Sequence, residues 1–287
     1  MAGETYDRTT QDVGNIVALE HVNVKIPDQQ VATLFYVVGL GLTRDPYLMT
    51  GLDNMWINIG QQQFHLPTGQ PQVLRGHVGL VIPHFDELPG RLAAVKRELA
   101  GTKFDYAVED KHIRVVSPWG NTIRFHQPGP AFGGITLGMP YVEFSVEPGA
   151  ADGIARFYRA AFGAPATVVR NGGGAAARVT VGPHQELIFR ESADAIPSYD
   201  GHHIQIYIAS FSGPHRWLKE RGLITEESNA SQYRFQDIGD PETGRVLFTI
   251  EHEVRSLLSP LYFRPLVNRN SAQRQSAYQR GRDAFVP

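Results

Sequence analysis

A short strand pattern recurs four times along the chain and constrains the fold more than any other feature. Leu19-Glu20-His21-Val22-Asn23-Val24-Lys25-Ile26 is followed by Gly76-His77-Val78-Gly79-Leu80-Val81-Ile82, then Pro140-Tyr141-Val142-Glu143-Phe144-Ser145-Val146, then His203-Ile204-Gln205-Ile206-Tyr207-Ile208. In each, apolar residues fall at every second position, the period of a half-buried strand. The starts are spaced by roughly 60 residues, about one supersecondary unit.

The segment after each strand repeats as well. Asp28 to Gly39 and Ala151 to Ala161 read as helices carrying Phe35-Tyr36 and Phe157-Tyr158. Both fit Phe-Tyr-x-x-x-(Leu/Phe)-Gly, which places Gly41 and Gly163 where a left-handed helix C-terminus needs glycine. Leu88 to Leu99 fills the slot in the second unit, with Leu88, Leu92, Val95 and Leu99 at helical spacing, and His215 to Arg221 fills it in the fourth. Two or three strand-like runs then close each unit: Met55 to Gly60 and Gln63 to Leu66; Lys103 to Val108, Ile113 to Val116 and Thr122 to His126; Ala176 to Val181 and Glu186 to Arg190; Tyr233 to Ile238 and Arg245 to Glu251. The reading is α+β, four tandem βαβββ units forming two cupped-sheet modules. A Gly/Pro-rich link, Pro128 to Gly138, places the modules at residues 16–130 and 138–255, after a flexible N-terminus at 1–15. A C-terminal extension, 256–287, departs from the repeat, with a helix expected near Ala272 to Arg282 and packing over a module or a dimer interface.

Composition narrows the chemistry. A formal net charge of -2 offers no basic excess for nucleic acid or an anionic membrane. The chain has no cysteine, which excludes disulfides, thiolate metal sites and a Cys nucleophile, and leaves its 11 histidines and its carboxylates as metal ligands. No apolar run reaches the roughly 20 residues of a membrane helix, and the polar start lacks a signal-peptide layout, so the expectation is a cytoplasmic protein.

Strand alternation sorts residues onto faces. His21, Asn23 and Lys25 oppose Val22, Val24 and Ile26; His77 opposes Val78, Leu80 and Ile82; His65 opposes Phe64 and Leu66; Arg124 and His126 oppose Ile123 and Phe125. The apolar faces should pack on helices, and the others should line a polar concavity or meet solvent. His21, His65 and His77 occupy similar positions in successive strands, and three convergent imidazoles suit a divalent transition metal.

This pattern resembles the vicinal oxygen chelate superfamily, which includes glyoxalase I, extradiol dioxygenases and bleomycin-binding proteins. The resemblance spans roughly Val17 to Glu251 and rests on Leu19-Glu20-His21-Val22, Phe35-Tyr36 with Gly41, Gly76-His77-Val78, Pro118-Trp119-Gly120-Asn121, Phe157-Tyr158 with Gly163, and His202-His203-Ile204. It implies that two units form one metal-holding cup, with ligands from the first and last strand of each. Carried over, His21, His77 and His65 become ligands of the first module. Arg124 stands in the remaining slot, where guanidinium cannot ligate, with His126 two residues on as a substitute. In the second module the slots hold Tyr141, His203 and Glu251, with Glu186 and Arg190 competing for the last. His203 with Glu251 resembles the extradiol ligand pair, but Tyr141 stands where those enzymes need a histidine.

The expected function is a metal-dependent enzyme, dioxygenase-like, acting on a small, oxygen-rich anionic or aromatic substrate. Fe(II) is favoured, with Mn, Zn, Ni or Co able to replace it, and Arg124 would hold a substrate carboxylate. The competing readings are a glyoxalase-type lyase or isomerase centred on His203 and Glu251, and a metal-free drug-binding cup gripping its ligand with Trp56, Trp119 and Tyr207. A small-molecule substrate is the expected partner, and a homodimer is compatible with the tail.

Overall fold

The structure, a computed structural model, describes residues 6–48, 53–172 and 174–269. Unit one comprises β1 (Ile16–Asn23), α1 (Gln29–Ala32), β2 (Thr43–Arg44), β3 (Asn54–Ile59) and β4 (Gln62–Pro67). Unit two has β5 (Gly76–Val81), α2 (Leu88–Val95), β6 (Asp105–Val108), β7 (Ile113–Val116) and β8 (Thr122–His126). Unit three has β9 (Gly138–Val146), α3 (Ala151–Phe162), β10 (Ala166–Asn171), β11 (Gly174–Gly182) and β12 (Gln185–Glu191). Unit four has β13 (His203–Ile208), α4 (Ser212–Lys219), β14 (Ile224–Asn229), β15 (Gln232–Gly239) and β16 (Val246–Ser256).

All four units are therefore βαβββ, and two of the helices show a local reason for where they begin or end. Asp28 caps α1, its Oδ1 accepting from the amides of Gln30 (2.7 Å) and Val31 (2.9 Å). The chain then widens into a π-turn over Thr33–Gly39, where the Leu40 amide reaches back five residues to the Phe35 carbonyl. Gly163 ends α3 at φ 60, and its amide bonds the Arg159 carbonyl at 3.0 Å. The strands β2, β10 and β14 had no clear signature in the sequence. They are outer strands of their sheets, β10 and β14 mostly exposed and the two-residue β2 half-buried, so no continuous buried face imposes alternation on them.

The two sheets run β14-β15-β16-β13-β1-β4-β3-β2 and β10-β11-β12-β9-β5-β8-β7-β6. Unit one is thus joined to unit four, and unit two to unit three. β1 pairs antiparallel with β13, with Val22 opposite Ile204, and β5 pairs antiparallel with β9, with Val78 opposite Val142. This corrects the chain-order pairing expected from the sequence: the Pro128 to Gly138 link connects two halves of one sheet instead of separating two modules. Each unit presents the free edge of its first strand, and four similar apolar-alternating edges carry no local signal of which pair will meet.

The apolar faces of both sheets share one core with the helices. The helices of units one and two pack together, as do α3 and α4, which ties the sheets to each other. Phe35, Tyr36, Phe157 and Tyr158, the repeated Phe-Tyr pairs, are buried there and each contributes on the order of 1.5–3 kcal/mol. Among the described residues no helix is long and apolar enough to cross a membrane. The polar faces are left as two concave surfaces.

Candidate metal centre

The first concavity is lined by β4, β1, β13 and β16. The pairing of β1 with β13 shifts register between Leu19 and His21, so two residues stand between the core side chains Leu19 and Val22 where regular pleating allows one. This bulge turns both Glu20 and His21 to the polar side. His65 comes from β4, opposite Trp56 on β3, whose ring stacks on it at 3.8 Å and 10°. His203 opens β13. The His21 ring centre lies 5.7 Å from that of His65 and 5.6 Å from that of His203.

One ring nitrogen of each histidine lies within 4.8 Å of the others. The Nε2 atoms of His21, His65 and His203 are all buried and lack a hydrogen-bond partner. Leaving three buried polar atoms unpaired is costly, and a shared ligand removes that cost at once. Ligands about 2.1 Å from a metal and 90–109° apart are separated by about 3.0–3.4 Å, so the three rings stand near the spacing a metal needs. The donor set fits a divalent transition metal.

The opposite ring edges are held. His21 Nδ1 meets Glu20 Oε2 at 2.5 Å, His65 Nδ1 meets the Asn23 amide at 2.6 Å, and His203 Nδ1 lies 3.4 Å from Glu251 Oε1. A carboxylate or amide oxygen on Nδ1–H leaves the Nε2 lone pair free, which is the ligating tautomer. For His65 this requires the Asn23 amide to turn its oxygen to the ring. Burial, with the charges of His21, Arg255 and Arg234 adding to it, pushes the His65 imidazole down to about 2. Burial, then His21 and Arg234, holds His203 well below the usual range. Burial alone would raise the Glu20 carboxyl, but His21, Arg255 and Arg264 outweigh it and hold it below normal.

A ring of charge surrounds the histidines. Arg234 binds both Glu251 and Glu253, and Arg255 binds Glu253. Gln205, fully buried and opposite His21, has both amide atoms unpaired. The C-terminal extension crosses this face as a strap. The Tyr262 ring lies 4.9 Å from that of Tyr207, Arg264 reaches Asp45 at 2.9 Å, and Asn268 bonds the Gly60 amide and carbonyl at 3.0 and 2.9 Å. The helix expected near Ala272 to Arg282 lies outside the described residues.

Of the residues singled out in the sequence, the structure gathers His21 and His65 with His203, with Glu251 beside them. His77, His126 and Arg124 stand on the other sheet, with Tyr141, Glu186 and Arg190. Their convergence on His21 and His65 is corrected by the unit pairing, since β5 and β8 never enter the first sheet. Arg124 consequently has no contact with the histidine cluster. Of the three aromatics considered for gripping a ligand, Trp56 walls the cluster, Tyr207 faces the strap, and Trp119 packs against the core. Glu20, Gln205, Arg234 and Arg255 were not legible as site residues; only Asn23 carried a signal, through its shared face with His21.

No protein-family model matches this chain, and no curated protein matches it in sequence. Among solved structures, a Bacillus subtilis protein provisionally assigned as a dioxygenase superposes with a TM-score of 0.55 at 14% identity, over 85% of this chain and 86% of that one. Glyoxalase I from Zea mays superposes with a TM-score of 0.53 at 12% identity, over 83% of this chain and 92% of that one. The sheets, the units and these superpositions together define the vicinal oxygen chelate fold. Within that fold the chain carries four units, and its candidate centre joins the first unit to the last.

Proposed function

We propose that the chain is a metal-dependent enzyme whose centre is His21, His65 and His203, acting on a small, oxygen-rich anionic or aromatic substrate by dioxygenase-type chemistry. One observation carries the reading: three histidines bring a ring nitrogen each within 4.8 Å of the others, and the buried Nε2 atom of each has no hydrogen-bond partner. A divalent metal held there, Fe(II) foremost, would supply Lewis acidity, open positions for a bidentate oxygen ligand and redox capacity toward O₂.

The protein's own groups do the rest. Glu20 and Asn23 orient His21 and His65, and Trp56 shields one face of the His65 ring from water. Arg234 ties Glu251 and Glu253 back against the strand. The Tyr207 phenol is pushed above its usual range, chiefly by burial and the Glu20 charge, so it stays protonated as a donor facing the cup.

A glyoxalase-type isomerisation is the second reading, favoured by Glu251 lying 3.4 Å from His203, where a carboxylate can take a proton from a bound substrate. Elemental analysis of the purified chain, then anaerobic Fe(II) loading and O₂ uptake with catechols and 2-oxo acids, separates these. O₂ consumption supports the dioxygenase; metal with substrate deuterium exchange but no O₂ uptake supports the isomerase. A chain that takes up no metal refutes both.

A further inference from the structure

The second concavity, on the sheet of units two and three, holds a different set of groups. Its floor carries His77 and Gly79 on β5, Arg124 and His126 on β8, Tyr141 and Glu143 on β9, and Glu186 and Arg190 on β12. Gly79 has no side chain because the Tyr141 ring occupies that space: a Cβ there would lie 2.2 Å from the ring. The Tyr141 hydroxyl is bonded to His126 Nε2 at 2.9 Å, and the His77 ring meets its edge at 5.6 Å between centres.

The carboxylates of this floor are already taken. Glu143 receives a two-pronged contact from Arg190 at 2.8 and 3.0 Å, and Glu186 is bound by Arg178. Further out, Arg114 holds Asp105 and lies near Glu109. Among the described residues Arg124 has no carboxylate within ion-pair reach, and its Nε is buried without a partner. His77 is 7% exposed, and its Nε2 is also unpartnered. Burial and Arg124 push His77 down to about 4, so the permanent charge left unbalanced is the guanidinium. A cation with no counter-ion beside a neutral imidazole and a phenol repels metal and attracts one negative charge.

We propose that this second cup is a metal-independent binding site for a small organic carboxylate, held on Arg124 with His77 and Tyr141 as flanking hydrogen-bond groups. The planar guanidinium matches a carboxylate through two parallel hydrogen bonds, using two of its five N–H donors. The site is independent of the histidine centre on the other sheet, so it stands or falls apart from the reaction assigned there.

Isothermal titration of the full chain with acetate, lactate and benzoate tests it, with benzamide as the uncharged counterpart of benzoate and inorganic phosphate as a second anion. At least one carboxylate should bind saturably, benzamide should not, and Arg124→Gln should weaken binding at least tenfold while His203→Ala leaves it unchanged. Arg124→Lys keeps the charge and loses the fork; it should also weaken binding, and it carries the test if the Gln variant does not fold. Absence of saturable binding by all three carboxylates overturns the proposal. So does equal binding to Arg124→Gln, loss of binding in His203→Ala, equal affinity for benzamide, or a preference for phosphate.

Discussion

His252 sits on β16 between Glu251 and Glu253, and its neutral ring anchors the strand that carries those carboxylates. It is fully buried, with Nδ1 donating to the Ile250 carbonyl at 2.9 Å and Nε2 accepting from the Tyr158 hydroxyl at 2.6 Å. Both nitrogens are satisfied in the neutral form, and the ring stacks on Phe235 at 4.3 Å. Burial pushes its pKa to about 3, against about 6.5 in the unfolded chain. Below 6.5 the unfolded state therefore binds a proton that the native state refuses, and stability falls as the pH drops toward 3. At pH 5 the native ring is still neutral, so the loss is set by the unfolded chain alone: about 2 kcal/mol relative to pH 7. Urea unfolding of wild type and His252→Gln at both pH values isolates this, because every other buried histidine titrates in both proteins and cancels. The wild type should be the more stable at pH 7, and the gap should shrink by about 2 kcal/mol at pH 5. A gap that stays constant would refute the assignment of a neutral His252 anchoring the strand.

Three further outcomes are expected. Glu20→Gln removes the carboxylate that orients His21 and should cost about 10–100-fold in divalent-metal affinity by titration calorimetry; unchanged affinity would separate Glu20 from the centre. Gly79→Ala forces a methyl into the Tyr141 ring and should destabilise by about 1–3 kcal/mol in urea, whereas a neutral result would mean the ring lies elsewhere. Arg264→Ala strips the buried Asp45 of its cation and should cost about 3 kcal/mol, since three N–H donors still hold the carboxylate, and limited proteolysis should find the strap released.

Much of the fold was legible in the sequence because it is written at short range. Alternation in β1, β5, β9 and β13 and the Phe35-Tyr36 and Phe157-Tyr158 helices follow from residues within one unit. The candidate centre was legible only in halves. His21 with His65 and His203 with Glu251 stood out separately, as competing sites, because the two pairs come from opposite ends of the chain, in the first unit and the fourth. The absent third histidine at Tyr141 is explained once β13 pairs with β1: the ring that faces His203 is His21.

By itself, then, the sequence determined what each strand and helix would be and which face of each would be polar. Only the tertiary structure decided which units share a sheet, since four similar strand edges can pair in more than one way and the packing of helices, core and strap selects among them. That choice brings His203 to His21 and His65, and it leaves His77 and Arg124 on a second concave face with a chemistry of its own.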